Sequence, residues 1–229
     1  MKSKTNFLFL SFLILLCLMS VSVIAQKQYL STKDSDAEAI KIFNKAKSLI
    51  KNAVTVSIEY KMTTYFPDSK PAVINGLAKQ KGKKYFIESG DKSFYCDGVS
   101  LVVWNRTQNI AQINDMDEKS GLMAPENILK SYDEKKYIFV LGQSVSSNKK
   151  TLQQMTLKPA EKRSEYSKIE FLIDKKSGLP DEIKMFMKDG SKTFLKINSV
   201  KMNQNLANSV FIFNKAEHPG VSVEDLRMD

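Results

Sequence analysis

The stretch FYCDGVSLVVWN, residues 94–105, decides how the rest of the chain is read. Asp97-Gly98 is a favoured pair for a two-residue hairpin turn, and β-forming residues follow it. On the arm after the turn, Val99, Leu101 and Val103 fall on one side of a strand, and Val102 and Trp104 on the other. Neither side is polar. A strand dry on both faces predicts that one face touches a hollow and the other a helix, loop or neighbouring edge.

The same two-residue period returns on both flanks. Val56, Ile58, Tyr60 and Met62 alternate with Ser57, Glu59 and Lys61. Ile169, Phe171 and Ile173 alternate with Lys168, Glu170 and Asp174, and Ile183, Met185 and Met187 with Lys184 and Lys188. This patterning predicts strands with one dry and one wet face. Turn pairs at Asp97-Gly98, Ser177-Gly178 and Asp189-Gly190 suit a meander of antiparallel hairpins. The polar stretches 142–150 and 158–167 read as loops between strands.

Two stretches have helical spacing instead. SDAE, residues 35–38, has the capping-box pattern, with Ser35 and Glu38 exchanging hydrogen bonds. After it Ala39, Ile40, Ile42, Phe43, Ala46, Leu49 and Ile50 form an apolar stripe. Residues 121–134 place Pro125 in a first turn and Ile128, Leu129 and Tyr132 on one face of a short helix. About ten strands cannot bury a shared dry face on two modest helices if the sheet is flat. The expected fold is therefore mainly β (α+β): a curved antiparallel sheet forming an unclosed β-barrel, covered by an N-terminal helix and a short helical lid.

Residues 1–25 read as a cleavable signal peptide. Lys2 and Lys4 precede a 13-residue apolar run at 7–19, and the stretch ends at Ala25. That run is shorter than the roughly 20 residues a membrane-spanning helix needs. Residues 26–229 are then one exported domain, with 33 basic against 25 acidic side chains and a net charge of +8. Cys96 is its single cysteine, so no internal disulfide is expected.

Catalytic chemistry has few candidates. His218 is the only histidine, which leaves little for a Ser-His-Asp or Cys-His arrangement, and before a proline it reads as a surface residue. Cys96 reads as an inert, partly buried thiol. Asp115 and Asp117 are spaced like the start of a calcium loop, but Lys119 and Ser120 follow where a ligand and the turn glycine belong. No metal and no cofactor are expected. The basic run KQKGKK, residues 79–84, reads as a solvated strand end, with an anionic membrane or acidic partner as its functional version; export makes nucleic acid an improbable partner. The dry face is rich in methionine and aromatic residues, which suit either a filled core or a hollow for variable guests.

The chain also resembles a known family. FIFNKAEHPGVSVEDLR, residues 211–227, is similar to the ending of periplasmic outer-membrane lipoprotein carriers of the LolA type. There a Phe-x-Phe strand (Phe211, Phe213) precedes Gly220, Val221, Val223, Asp225 and Arg227. CDGVSLVVWN resembles the family's Asp-Gly hairpin, GLAKQKGKKYF from Gly76 its preceding strand pair, and Leu157–Pro159 a further landmark. The resemblance implies a half-barrel whose hydrophobic cavity shields the acyl chains of lipoproteins crossing from the inner to the outer membrane. It implies no enzyme activity, and as partners acylated lipoproteins, an inner-membrane lipoprotein-releasing ABC transporter and an outer-membrane acceptor, with the carrier a monomer. One departure is clear: the arginine that helps hold the family's lid falls on Gly82 here.

Joined to the alternation, this reading assigns the acyl cavity to Val56, Ile58, Tyr60, Met62, Leu101, Val103, Ile169, Phe171, Ile173, Ile183, Met185 and Met187. The lid is assigned to Ile40, Phe43, Ile128 and Leu129. Two other readings stay open: a periplasmic lipid- or lipoprotein-sensing interaction protein on the same half-barrel, and an enzyme acting on an envelope polymer.

Overall fold

The period-two segments join into one sheet of twelve strands among the described residues, which are 31–116 and 125–227 of a computed structural model. The predicted signal peptide and Asp117, Lys119 and Ser120 lie outside them. The first six strands are β1 (Thr55–Phe66), β2 (Ser69–Lys81), β3 (Lys84–Ser89), β4 (Lys92–Cys96), β5 (Ser100–Asn105) and β6 (Ile110–Asp115). The second six are β7 (Tyr137–Ser147), β8 (Lys150–Pro159), β9 (Tyr166–Asp174), β10 (Pro180–Met187), β11 (Lys192–Met202) and β12 (Ser222–Asp225). Helix α1 (Ala37–Lys51) precedes them, and the short α2 (Pro125–Lys130) stands between β6 and β7.

The strands lie in the order β12-β6-β5-β4-β3-β2-β1-β11-β10-β9-β8-β7, so two meanders meet where β1 pairs with β11. The sheet curves without closing. Every pairing is antiparallel except the last, since β12 runs parallel to β6. That strand was not visible in the sequence, because four residues are too few to show a period.

Extra residues bend the middle of the sheet. Asn198 has no partner between Ser199, opposite Glu59, and Ile197, opposite Tyr60. Asp181 likewise stands unmatched between Pro180 and Glu182. Such bulges kink a strand and advance its side-chain phase by one. Leu195, Ile197 and Val200 therefore all reach the concave side, although their spacing breaks the period of two.

Several local expectations are corrected. The capping box at 35–38 does not form. Ser35 Oγ accepts from the Phe139 amide and Asp36 Oδ2 from the Leu141 amide, while the Asp36 amide donates to the Phe139 carbonyl. These groups bind strand β7 instead of closing their own helix. The 94–105 hairpin turns through residues 97–99, a longer loop than a two-residue turn. Asp97 Oδ1 accepts from the Val99 and Ser100 amides, which holds the carboxyl below its usual range, and Val99 is left 77% exposed. Most of the polar stretch 142–150 is strand, with the turn confined to Asn148 and Lys149, both at positive φ.

The dry face is filled at both ends. Under α1, Phe43 meets Phe139 and Phe171 edge-on at 5.2 and 5.4 Å, in a cluster that includes Val56, Met155, Ile169 and Ile173. A second cluster joins Ala78, Tyr85, Ile87, Cys96 and Leu101, with Phe94 and Val103 against it. Burying each large side chain contributes about 1.5–3 kcal/mol.

The opposite face of β3–β5 is covered by the C-terminal segment. Phe213 sits 5.5 Å from Tyr95 and 6.1 Å from Trp104. His218 stacks on Phe213 at 4.8 Å and lies tilted against Trp104 at 3.9 Å, so it is half-buried between two rings instead of standing free on the surface. Phe211, fully buried, lies in a 3-10 turn against β3 and β4; the expected Phe-x-Phe strand does not form. β5 is dry on both faces because one meets the interior and the other meets this cover.

Candidate ligand cavity

Between the two packed clusters the concave face is not filled. A cavity of about 250 Å³ lies there. β1 supplies Ile58, Tyr60 and Met62; β10 supplies Pro180, Ile183 and Met185; β11 supplies Leu195, Ile197 and Val200. Ala78, Ile87 and Ser89 bring the second cluster to its wall, and Leu179 adds to the opposite side. The helices contribute Ile50 from the last turn of α1, and Ile128 and Leu129 from α2.

The lining has two chemical properties. None of these side chains is charged, and Ser89 and the Tyr60 hydroxyl are the polar groups among them. Tyr132, just beyond α2, donates its hydroxyl to Met185 Sδ at 3.8 Å and packs its ring 5.4 Å from Phe171. Burial pushes its phenol well above the ordinary range, so it stays neutral. A space of this kind favours apolar guests by removing their surface from water and offers an ionised group nothing to pair with.

Of the twelve residues expected at a cavity, Ile58, Tyr60, Met62, Ile183 and Met185 lie on its wall. Val56, Ile169, Phe171 and Ile173 lie in the core under α1, because the fifteen-residue helix packs over that end of the sheet. Leu101 and Val103 belong to the second cluster. Met187 sits half-buried at the end of β10, where its amide closes the turn on the Ser191 carbonyl.

Of the four lid residues, Ile128 and Leu129 face the hollow. Phe43 is core, and Ile40 packs against that core. The bulges hid Ile197, Val200 and Pro180 from a reading by alternation. Ile50 is on the apolar stripe of α1, but nothing in that stripe singles out its last turn.

Other candidates take structural places. Cys96 is fully buried with Sγ 3.6 Å from Met116 Sδ, and burial pushes its thiol up. Among the described residues no cluster of His, Cys, Asp and Glu could hold a metal. No helix among them is long and apolar enough to cross a membrane. Lys79 to Lys84 form the β2–β3 hairpin, with Gly82 at positive φ in its turn.

A curved, unclosed sheet around an uncharged apolar hollow defines the class: a half-barrel of the lipid- or lipoprotein-binding kind. Residues 93–214, more than half of the chain, match the family described as outer membrane lipoprotein carrier protein LolA, and the chain belongs to that family. Its members are binding and carrier proteins.

In fold it is similar to an uncharacterized conserved protein from Thermus thermophilus, with TM-score 0.53 and 9% identity over 82% of this chain and 99% of that one. It is also similar to a LolA superfamily protein from Nitrosomonas europaea, with TM-score 0.39 and 13% identity over 76% and 97%. A third similar structure is LprF from Mycobacterium bovis, with TM-score 0.48 and 7% identity over 76% and 96%. None of the curated proteins matches the sequence.

Proposed function

We propose that this protein is a periplasmic carrier that holds the acyl chains of lipoproteins in the cavity and moves them from the inner to the outer membrane. The observation that carries the reading is the hollow itself: sixteen lining residues, none of them charged, between two tightly packed clusters. An acyl chain in water exposes roughly 0.8 kcal/mol of unfavourable surface per CH₂, so a carrier needs an apolar space and no reacting group. Two methionines, Met62 and Met185, on that wall let it adapt to different chains and release them.

In this reading residues 1–25 are removed on export and residues 26–229 work as one domain and a single copy. The protein receives its cargo from an inner-membrane lipoprotein-releasing ABC transporter and passes it to an outer-membrane acceptor. No catalytic residue or cofactor takes part. Because Gly82 stands where the family's lid arginine would be, closure rests on apolar contacts of Ile128 and Leu129 with the sheet.

Native mass spectrometry of the protein purified from the envelope of its host tests this directly. One acylated polypeptide per chain is the expected adduct, with uptake of a triacylated peptide by the stripped protein. A bare mass together with no uptake overturns the carrier reading. Uptake that persists in cells lacking the releasing transporter shifts it to a lipoprotein-sensing protein.

A further inference from the structure

The strands that wall the cavity carry a second, different surface on their outer side. Phe186 and Phe194 alternate with the cavity residues Ile183, Met185 and Leu195, so their rings stand on the opposite face of β10 and β11. Phe194 lies 6.0 Å from Phe186 and 5.2 Å from Tyr65 of β1. The row continues to Tyr65 at the end of β1, 40% exposed, and to Val73 on β2, opposite Thr63 and 54% exposed. The aromatic outer face of β3–β5 is covered by Phe213 and His218; this one is uncovered among the described residues.

Lysines surround the row. Lys168 and Lys184 place their ammoniums 4.4 and 5.4 Å over the Phe186 and Phe194 rings, and each also pairs with an acid, Glu170 or Glu182. Lys61 and Lys192 flank Phe194 and Tyr65 on the same face and, with Lys70 in the start of β2, are exposed and make no ion pair among the described residues. The acids on this face are Glu170 and Glu182, each in the pair just named, and Glu59 two residues from Lys61 on β1; Asp68 and Asp189 lie in the turns, and Asp189 is occupied by the Ser191 amide and hydroxyl.

We propose that this face docks on an anionic lipid bilayer. Aromatic rings beside lysines match a membrane interface, where rings sit at headgroup level and ammoniums meet lipid phosphates. A convex sheet offers a peptide no groove for anchoring side chains, whereas a headgroup layer conforms to it. The net charge of +8 on residues 26–229 strengthens the approach. This inference does not need the cavity to be filled, so it stands or falls apart from the carrier reading.

The test is sedimentation of the envelope-purified protein with phosphatidylcholine vesicles, with and without about one third phosphatidylglycerol. Binding is expected only with the anionic lipid and is expected to weaken with salt. The pair Lys61→Gln and Lys192→Gln should lower it about tenfold, and so should Tyr65→Ser with Val73→Ser, each with unfolding temperature unchanged. Lys79→Gln with Lys83→Gln, in the β2–β3 hairpin, should retain full binding.

Equal loss in that control reduces the effect to overall charge and overturns the proposal. No binding to anionic vesicles overturns it too, as does tighter binding of a poly-glutamate peptide, which would make the partner an acidic protein. The native mass result is unaffected by any of these outcomes.

Discussion

The ring of Tyr60 on β1 occupies the space in which a side chain at Gly76, its partner on β2, would stand. A Cβ built on Gly76 would lie 2.2 Å from Tyr60 Cζ and 2.4 Å from its hydroxyl oxygen. The glycine lets the ring lie flat against the sheet, where it forms part of the cavity wall. Gly76→Ala should drive the ring off the sheet and into the hollow. Overpacking of this sort costs about 1–3 kcal/mol, and uptake of a triacylated peptide should fall with it. Adding Tyr60→Ala should restore most of the stability, which a double-mutant cycle measured by urea unfolding would show.

Binding and folding should separate along adjacent strands. Met185 lines the hollow, and Phe171 on β9, opposite Ile183, is fully buried. Met185→Gln should weaken acyl-peptide binding about tenfold while leaving the unfolding midpoint nearly unchanged, since a flexible polar chain there can reach the open space. Phe171→Ala should instead lose about 3–5 kcal/mol of stability. Parallel titrations and melts of the two variants check the distinction; a binding loss without destabilisation at Phe171 would contradict its place in the solid core.

Asp181 makes stability depend on acid. The bulge turns its carboxylate between two ammoniums, Lys150 at 2.7 Å and Lys196 in direct contact. Burial pushes the carboxyl up, but the hydrogen bonds from Lys150 and Lys196 outweigh it and the pKa ends below the usual value. A group with a lowered folded-state pKa stabilises fully above its unfolded value, near pH 4, and loses that contribution as pH falls through the folded one. Asp181→Asn should cost about 1–2 kcal/mol at pH 7, moderated by the half-exposed lysines. It should also flatten the decline in stability from pH 5 to pH 3, measured by urea unfolding at each pH.

Cys96 should be a clock for opening of the second cluster. Its thiol is buried and its ionisation is suppressed by that burial. Alkylation by iodoacetamide at pH 8 should be far slower than for a free thiol and should accelerate with denaturant as the cluster opens. Rapid reaction of the native protein would show that the β3–β5 region opens on its own.

Trp104, the only tryptophan, reports on the C-terminal cover. Phe213→Ala removes the ring against which His218 stacks, and His218 in turn lies on Trp104. The variant should lose about 1–3 kcal/mol, and its tryptophan emission should shift to the red as the indole meets water. Unchanged emission would mean that His218 alone keeps the cover in place.

The alternation of Val56, Ile58, Tyr60 and Met62, and of Ile183 and Met185, was enough to predict a curved sheet with a dry side. It could not separate filled from hollow. Ile169 and Ile58 have the same pattern in sequence, yet one is under α1 and the other faces the cavity, and only the reach of a helix distinguishes them. Pro180, Ile197 and Val200 were missed for another reason: a single unpaired residue resets the phase that alternation relies on. The both-sided dryness of Leu101, Val102, Val103 and Trp104 was the most informative signal, and it needed the C-terminal segment to be explained.

The hydrogen bonds of Ser35 and Asp36 to β7 bear on how the chain behaves among copies of itself. An open sheet ends in rows of free amides and carbonyls that can recruit a stranger's strand and grow into aggregates. Here the start of β7 is occupied by the residues just before α1. At the far end β12 is only four residues long and carries Glu224 and Asp225. Closing the barrel would have removed both edges, but it would also have sealed the hollow. Guarding the edges separately leaves the sheet open while giving an incoming strand little at either end to pair with.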